Sequence, residues 1–326
     1  MKILLDNFQV GDLLPEDKNV RKKYEAALNG FIEQVKKDES ITAALLFGSL
    51  VKGVVWEKSD IDLVLITSDQ KTPYRNFWLM DEDINIQVSV FTRNHFIRSQ
   101  QRSLQGSGTH HVLTTSKVLF SNDDTLTEFV ESMKQIGRRD FELEILRIVS
   151  MVIGDLEKTE KFLFIKNDIG QSYLFITRLL DNLASIVVML NDEIPGRESV
   201  EQAMKFEPEL FDTIYSQVVL GEITKDKLVK IVETIREYLV EQTSVVFRPI
   251  IDYLKEESTF RSVTDIAHYL NDKLQTSWWE IAGVALGNWL VEQGYCERVP
   301  CPTRLTLRSH TEVHEVGFYY LGEDLE

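Results

Sequence analysis

Residues 48–66 read GSLVKGVVWEKSDIDLVLI: a glycine-serine pair, ten residues, then Asp60-Ile61-Asp62 at the head of an apolar run. Alternate residues of a strand point to one face with Cα atoms roughly 6.5 Å apart. Two carboxylates held that way repel unless a cation lies between them, and Mg²⁺ typically takes one or two carboxylates together with nucleotide phosphates. Upstream, Ala43-Ala44-Leu45-Leu46-Phe47 is a short apolar run ending at Gly48, as expected of a buried strand feeding a tight turn. Ser49-Leu50-Val51-Lys52 can then open a helix whose first N–H groups favour an anion. Downstream, Asp62, Val64 and Ile66 share a face, so the sheet is expected to be covered further along and open where the acids lie. A lone Asp-x-Asp is ordinarily a turn cap and a strand-end charge. The order strand, Gly-Ser, helix, strand, Asp-x-Asp is far more specific.

These residues resemble the signature of the polymerase-β-like nucleotidyltransferase superfamily, in the flavour of the antibiotic-modifying and minimal nucleotidyltransferases, where Ser-Asp-Ile-Asp-Leu is a common wording. The resemblance covers roughly the first 125 residues, and the helical part after them more loosely. It implies an α+β fold with a mixed-sheet catalytic domain. It implies that Gly48 and Ser49 contact nucleotide phosphates, aided by Lys52, and that Asp60 and Asp62 are the catalytic carboxylates carrying Mg²⁺, with room for two ions. The substrate it implies is a nucleoside triphosphate, ATP foremost, attacked in line at its α-phosphate. Such chemistry is mainly positioning and charge stabilisation.

One position departs from the pattern. The family supplies a third acid from a later strand, in a context like Val-Asp-Val-Ser-Val, where this chain has Ile86-Gln87-Val88-Ser89-Val90. Gln87 shares a face with Asn85 and Ser89, opposite Ile84, Ile86, Val88 and Val90. An amide oxygen can ligate a metal but cannot serve as a general base. Three readings stay open. A base comes from the helical part (Glu142, Glu144 or Asp155); the acidic turn Asp81-Glu82-Asp83 reaches in, although such a turn is ordinarily a solvated hairpin; or the protein binds nucleotide without efficient transfer, as a regulator or assembly module.

Charge narrows the partners. The net charge of −16 divides into −2 over residues 1–124, −9 over 125–257 and −5 over 258–326. An acidic protein loses the counterion-release term that dominates nucleic-acid affinity, so a nucleic-acid partner is not expected. The nearly balanced first part suits a small anion, with Lys52, Arg93, Arg98 and Arg102 as cations able to meet a triphosphate, although lysines and arginines are mostly solvated surface groups. The opening Met1-Lys2-Ile3-Leu4-Leu5-Asp6 is too short and too soon acidic for a signal peptide. No apolar run approaches the ~18 residues of a membrane span, and two cysteines point to a reducing compartment. The expectation is a cytoplasmic protein without a membrane partner.

Periodicity suggests three domains: 1–124 catalytic, 125–257 a helical bundle, 258–326 winged-helix-like. Residues near 17–38 form an amphipathic helix, and Lys117-Val118-Leu119-Phe120 a short strand. Ile176, Leu179, Leu180, Leu183, Ile186, Val187 and Leu190 step by three and four along one helix face. The bundle resembles the acceptor-binding domain of small-molecule nucleotidyltransferases, in which Tyr173, Arg178 and Arg197 could line an acceptor cleft. In the last part, a capped helix over Ser262–Leu270, a second over Trp278–Gln293 ended by Gly294, and a ribbon from Arg304–Arg308 and Val316–Tyr320 resemble a winged helix. Trp278–Trp289 contains no lysine or arginine, which argues against DNA reading and for packing or a homo-oligomer. Cys296, Cys301, His310 and His314 have the ligand types of a zinc site, with a middle gap shorter than usual.

The sequence therefore predicts transfer of NMP from an NTP to a hydroxyl of an unidentified small acceptor, with a catalytically weakened nucleotide binder as the alternative.

Overall fold

The structure is a computed structural model and describes residues 18–68, 74–102, 113–133, 138–256, 260–274, 279–306, 308 and 310–322. The described residues divide into two compact units, one formed by those up to 133 and the other by those from 138 onward.

The first unit is a five-stranded mixed sheet in the order β3-β4-β2-β1-β5. Its strands are β1 (Ile41–Phe47), β2 (Ile61–Thr67), β3 (Tyr74–Asp81), β4 (Ile84–Thr92) and β5 (Lys117–Ser121). Strands β2 and β4 run parallel, and the other neighbours antiparallel. Apolar residues alternate along the strands and supply two cores. On one face Ala44, Leu46, Ile61, Leu63, Leu65, Ile84, Ile86 and Val88 pack with Tyr24, Leu28, Ile32 and Val35 of α1 (Lys18–Val35). Those α1 residues step by four and three, the stripe of an amphipathic helix. On the other face Ala43, Leu45, Phe47 and Ile66 pack with Phe96 of α3 (Arg93–Arg102) and Leu126 and Val130 of α4 (Asp124–Ser132). Between β1 and β2 lies a single helical turn, α2 (Ser49–Lys52), closed by the left-handed Gly53. The helix expected after Gly48 is thus four residues long, because Gly53 stops it at once. The helical character expected from about residue 126 begins with α4, and that helix packs in the sheet unit.

The second unit is helical, led by α5 (Arg138–Glu160) and α6 (Ile169–Leu190). Asp168 caps α6, its side chain accepting from the Gln171 N–H at 3.0 Å. The stripe Ile176, Leu179, Leu180, Leu183, Ile186 and Val187 is buried. One core cluster runs from Phe141 through these residues to Phe318. By length and composition α6 is long and apolar enough to cross a membrane, which corrects the expectation that no segment is. Its apolar stripe nevertheless lies inside the protein core.

At the chain's end Ser262 and Asp265 cap a helix over Val263–Leu274 reciprocally: the Ser262 N–H donates to Asp265 Oδ2 and the Asp265 N–H to Ser262 Oγ. A helix over Trp279–Glu292 follows and ends before the left-handed Gly294; Trp278 lies outside the described residues. The ribbon begins earlier than the sequence suggests, with β7 (Cys296–Arg304) pairing β8 (Glu312–Tyr320) and β6 (Arg261–Ser262) on the far side of β8. Pro300 and Pro302 lie within β7. They are tolerated because β7 is an edge strand, where a missing N–H need not break a ladder bond. Of the expected strand Arg304–Arg308, Arg304 closes β7, Leu305 and Thr306 lie in the bend, and Leu307 is outside the described residues.

Candidate functional site

Asp62 lies at the second position of β2, opposite Phe47 on β1 and level with Gln87 on β4. Gln87 in turn lies opposite Trp78 on β3. Register partners share a face, so Trp78, Gln87, Asp62 and Phe47 form one row across the sheet, with adjacent strands ~4.8 Å apart. Further along, Val64, Ile66 and Phe91 on this face are covered by α3 and α4. Along the row of Asp62 the cover thins from β1 toward β3: Phe47 is buried, Asp62 and Gln87 are half-buried, and Trp78 is 67% exposed. The sheet is open where the acid lies, as its alternation predicts.

Gly48 connects this row to the turn. It has φ 76° and ψ −153°, a conformation essentially reserved for glycine. A Cβ there would overlap the Asp62 carboxylate, with Oδ2 the first atom met. The carboxylate therefore packs directly on the glycine of the Gly-Ser turn. The Gly48 carbonyl accepts from the Lys52 N–H at 3.3 Å and the Ser49 carbonyl from the Val54 N–H at 3.1 Å, so the turn folds back on itself tightly. Lys52 is exposed at its end.

Asp60 immediately precedes β2, and a contact that sequence reasoning missed holds its loop. The Tyr24 hydroxyl, carried by α1, lies 2.7 Å from the Ser59 carbonyl and 3.2 Å from that of Glu57. Ser59 is buried, and its Oγ accepts from the Trp56 N–H at 3.1 Å. Burial raises the Tyr24 phenol pKa, and the negative charge of Asp60 adds to the rise. The signal in the sequence was a tyrosine on the apolar stripe of α1, where its hydroxyl needs an acceptor.

The donor set fits a hard cation. Asp60, just before β2, and Asp62, its second residue, offer carboxylate oxygens two positions apart, and the Gln87 amide lies level with Asp62 without adding charge. Mg²⁺ would be held by these groups and would supply charge neutralisation for a phosphoryl centre.

Other expected residues are engaged elsewhere. Arg93 pairs with Asp123 and its Nη2 donates to Thr125 Oγ1 at 2.7 Å. Hydrogen bonds from Thr125 and Arg93 hold the Asp123 carboxyl down to a pKa of about 2, and Asp123 caps α4. Arg98 is exposed, and the Arg102 side chain lies outside the described residues. Asp81-Glu82-Asp83 turns the β3–β4 hairpin, with Glu82 at φ 51° and Asp83 paired to Lys23. It is a hairpin turn. In the helical unit, Glu142 pairs with Arg248 at 3.0 Å, Glu144 with Arg147 through two bonds of 2.7 and 2.6 Å, and Asp155 with Arg178 at 3.3 Å. Burial raises the Asp155 pKa, and Arg178 opposes the rise. Tyr173 packs on the core, Arg178 also lies over the Phe175 ring, and Arg197 is exposed in the loop before the helix Ser199–Phe206.

The zinc spacing is not gathered into a site. Cys296 and Cys301 are an odd number of residues apart on β7 and so face opposite ways, both buried, while His310 and His314 are exposed. Burial pushes the Cys296 thiol up to about 12, away from the thiolate a metal needs. Among the described residues no three of His, Cys, Asp and Glu converge.

Residues 29–125 match the family model described as Polymerase beta, Nucleotidyltransferase. No curated protein matches the chain. A solved structure, a nucleotidyltransferase-like protein from Exiguobacterium sibiricum 255-15, superposes with a TM-score of 0.63 at 12% identity, covering 92% of this chain and 100% of that one. At that identity the likeness is one of fold.

Proposed function

We propose, from the premise that residues 29–125 form a polymerase-β-like nucleotidyltransferase domain, that the protein moves NMP from an NTP, ATP foremost, to a hydroxyl of a small acceptor with Mg²⁺ as cofactor. The observation that carries the reading is the packing of the Asp62 carboxylate on Gly48, which sets that carboxylate against the Gly-Ser turn. Gly48 and Ser49 hold the β- and γ-phosphates, with Lys52 beside them. Asp60 and Asp62 hold the cation and orient the α-phosphate. The acceptor oxygen forms a bond to the α-phosphorus, and the bond from that phosphorus to the bridging oxygen breaks. Pyrophosphate leaves with the electron pair. The hydroxyl proton passes to water, since the Gln87 amide takes none. The charge-paired Glu142, Glu144 and Asp155 have no part in this step. A location in the cytoplasm, where NTP and Mg²⁺ are available, accords with this chemistry.

Gln87 favours a second reading, a nucleotide binder with weak turnover, because the position level with Asp62 carries no charge. Calorimetric titration of ATP with and without Mg²⁺, alongside pyrophosphate release, separates the two. Asp62→Ala is expected to weaken Mg²⁺-dependent ATP binding about 100-fold, the upper range for loss of groups supporting a metal. Equal binding by wild type and Asp62→Ala would refute the metal site. Release of pyrophosphate only after Gln87→Asp would select the second reading.

A further inference from the structure

The row Trp78–Gln87–Asp62–Phe47 has a direction. The Gly-Ser turn follows β1, on one side of Asp62; Gln87 and Trp78 lie on the other. In-line phosphoryl transfer sets the attacking and leaving oxygens on opposite sides of the phosphorus. With the leaving pyrophosphate held at Gly48 and Ser49, the acceptor hydroxyl must arrive from the side of β4 and β3. There it meets Gln87 first and Trp78 next.

The chemistry of that side is specific. On the shared face β3 presents Tyr74, Asn76, Trp78 and Met80, and β4 presents Asn85, Gln87, Ser89 and Phe91, with no charged group among them. Asn76 accepts from Ser89 Oγ at 2.7 Å, and Tyr74 packs on Phe91 with centroids 4.7 Å apart. Trp78 and Met80 are 67% and 75% exposed. An indole is a rigid, large stacking surface whose burial by a ligand is favourable.

We propose that Trp78 is the platform for the acceptor, an uncharged molecule carrying a flat ring and a hydroxyl about one strand spacing (~5 Å) from it. The ring stacks on the indole, Met80 covers its edge, and the Gln87 amide oxygen accepts the hydroxyl's hydrogen bond and aims its oxygen at the α-phosphorus. Gln87 is then a positioning residue suited to a neutral acceptor, where a third carboxylate would add charge. The inference rests on the nucleotidyl-transfer reading of the same site, and deepens it by naming the acceptor class.

The test uses the full chain with Mg²⁺ and a non-cleavable ATP analogue, titrated by ligand-observed NMR with phenethyl alcohol as the ring-bearing probe and glycerol as the ringless one. Trp78→Ala is expected to weaken phenethyl alcohol about tenfold, the scale of one stacked ring, with glycerol and the ATP analogue within about twofold; Trp78→Phe should keep most of the affinity. Trp78 is exposed, so both variants should fold, and circular dichroism verifies it. Three results overturn the proposal: no binding of phenethyl alcohol by wild type, equal binding by Trp78→Ala, or parallel loss of the ATP analogue, which would put the nucleobase on the indole. Undiminished ATP binding by Asp62→Ala would instead refute the nucleotide site itself, whatever Trp78 does.

Discussion

In the helical unit Glu142, Glu144, Asp155 and Glu160 each lie against an arginine: Arg248, Arg147, Arg178 and Arg236. In the sheet unit Asp60 immediately precedes β2 and Asp62 is its second residue, Asp62 pressed on a glycine and level with an amide. The side chains are of one kind and their settings are opposite. A carboxylate answered by a guanidinium contributes to holding helices together and has little left to offer a ligand. Two carboxylates set side by side repel, and a cation relieves that repulsion. The difference separates acids tied to arginines in the helical unit from the pair proposed here to take a cation, a distinction that a count of acidic residues does not make.

Breaking the first half of the comparison should have the largest effect. Arg147→Ala leaves Glu144, 2% exposed, as a buried charge without its guanidinium. The expected loss is about 3 kcal/mol of stability, read from urea unfolding, with Mg²⁺–ATP affinity of the folded protein unchanged. A fall in that affinity would place Glu144 in the working site and erase the contrast. Next, Gly48→Ala puts a methyl into the volume of the Asp62 carboxylate in a backbone conformation that costs about 1–3 kcal/mol for other residues. Mg²⁺-dependent ATP binding should fall about tenfold or more, and calorimetry showing wild-type affinity would separate the turn from the acid. The smallest effect belongs to Tyr24→Phe, which removes the hydroxyl from the Ser59 carbonyl. About 1 kcal/mol of stability should go, and the Mg²⁺ concentration needed for half-maximal ATP binding should rise as the Asp60 loop loosens. An unchanged Mg²⁺ requirement would show that Asp60 is positioned by its strand alone.

Much of this was legible before any coordinates. Asp62, Val64 and Ile66 alternate, and that parity sufficed to say which face opens at the acid. Gln87 was singled out through the resemblance, as the residue standing, in an Ile-Gln-Val-Ser-Val context, where the family has a third acid; that it lies level with Asp62 came from the parallel register. What escaped was contact at long range. Tyr24 and Ser59 are 35 residues apart, and nothing in either segment names the other. Glu142 and Asp155 looked like candidates for a base because a sequence does not show the arginines that meet them across helices, whereas Arg147, three residues after Glu144 on the same helix, was in plain view. The ribbon was placed too late because Pro300 and Pro302 conceal a strand unless it is known to be an edge. Strand β3 itself went unread, since a strand exposed on both faces lacks the one-sided alternation that ordinarily reveals one.

That last strand has a consequence for handling the protein. β3 is the outermost strand of the sheet, and Phe77, Trp78, Leu79 and Met80 stand exposed along it. A bare, apolar edge is a template on which another chain can extend the sheet, and proteins ordinarily guard such edges with charge. Here the guards, Arg75 and Asp81, stand near its two ends and leave the middle uncovered. At high concentration this edge is where self-association should begin, so that a surface kept open for a small ring is also the one most exposed to a neighbour's backbone.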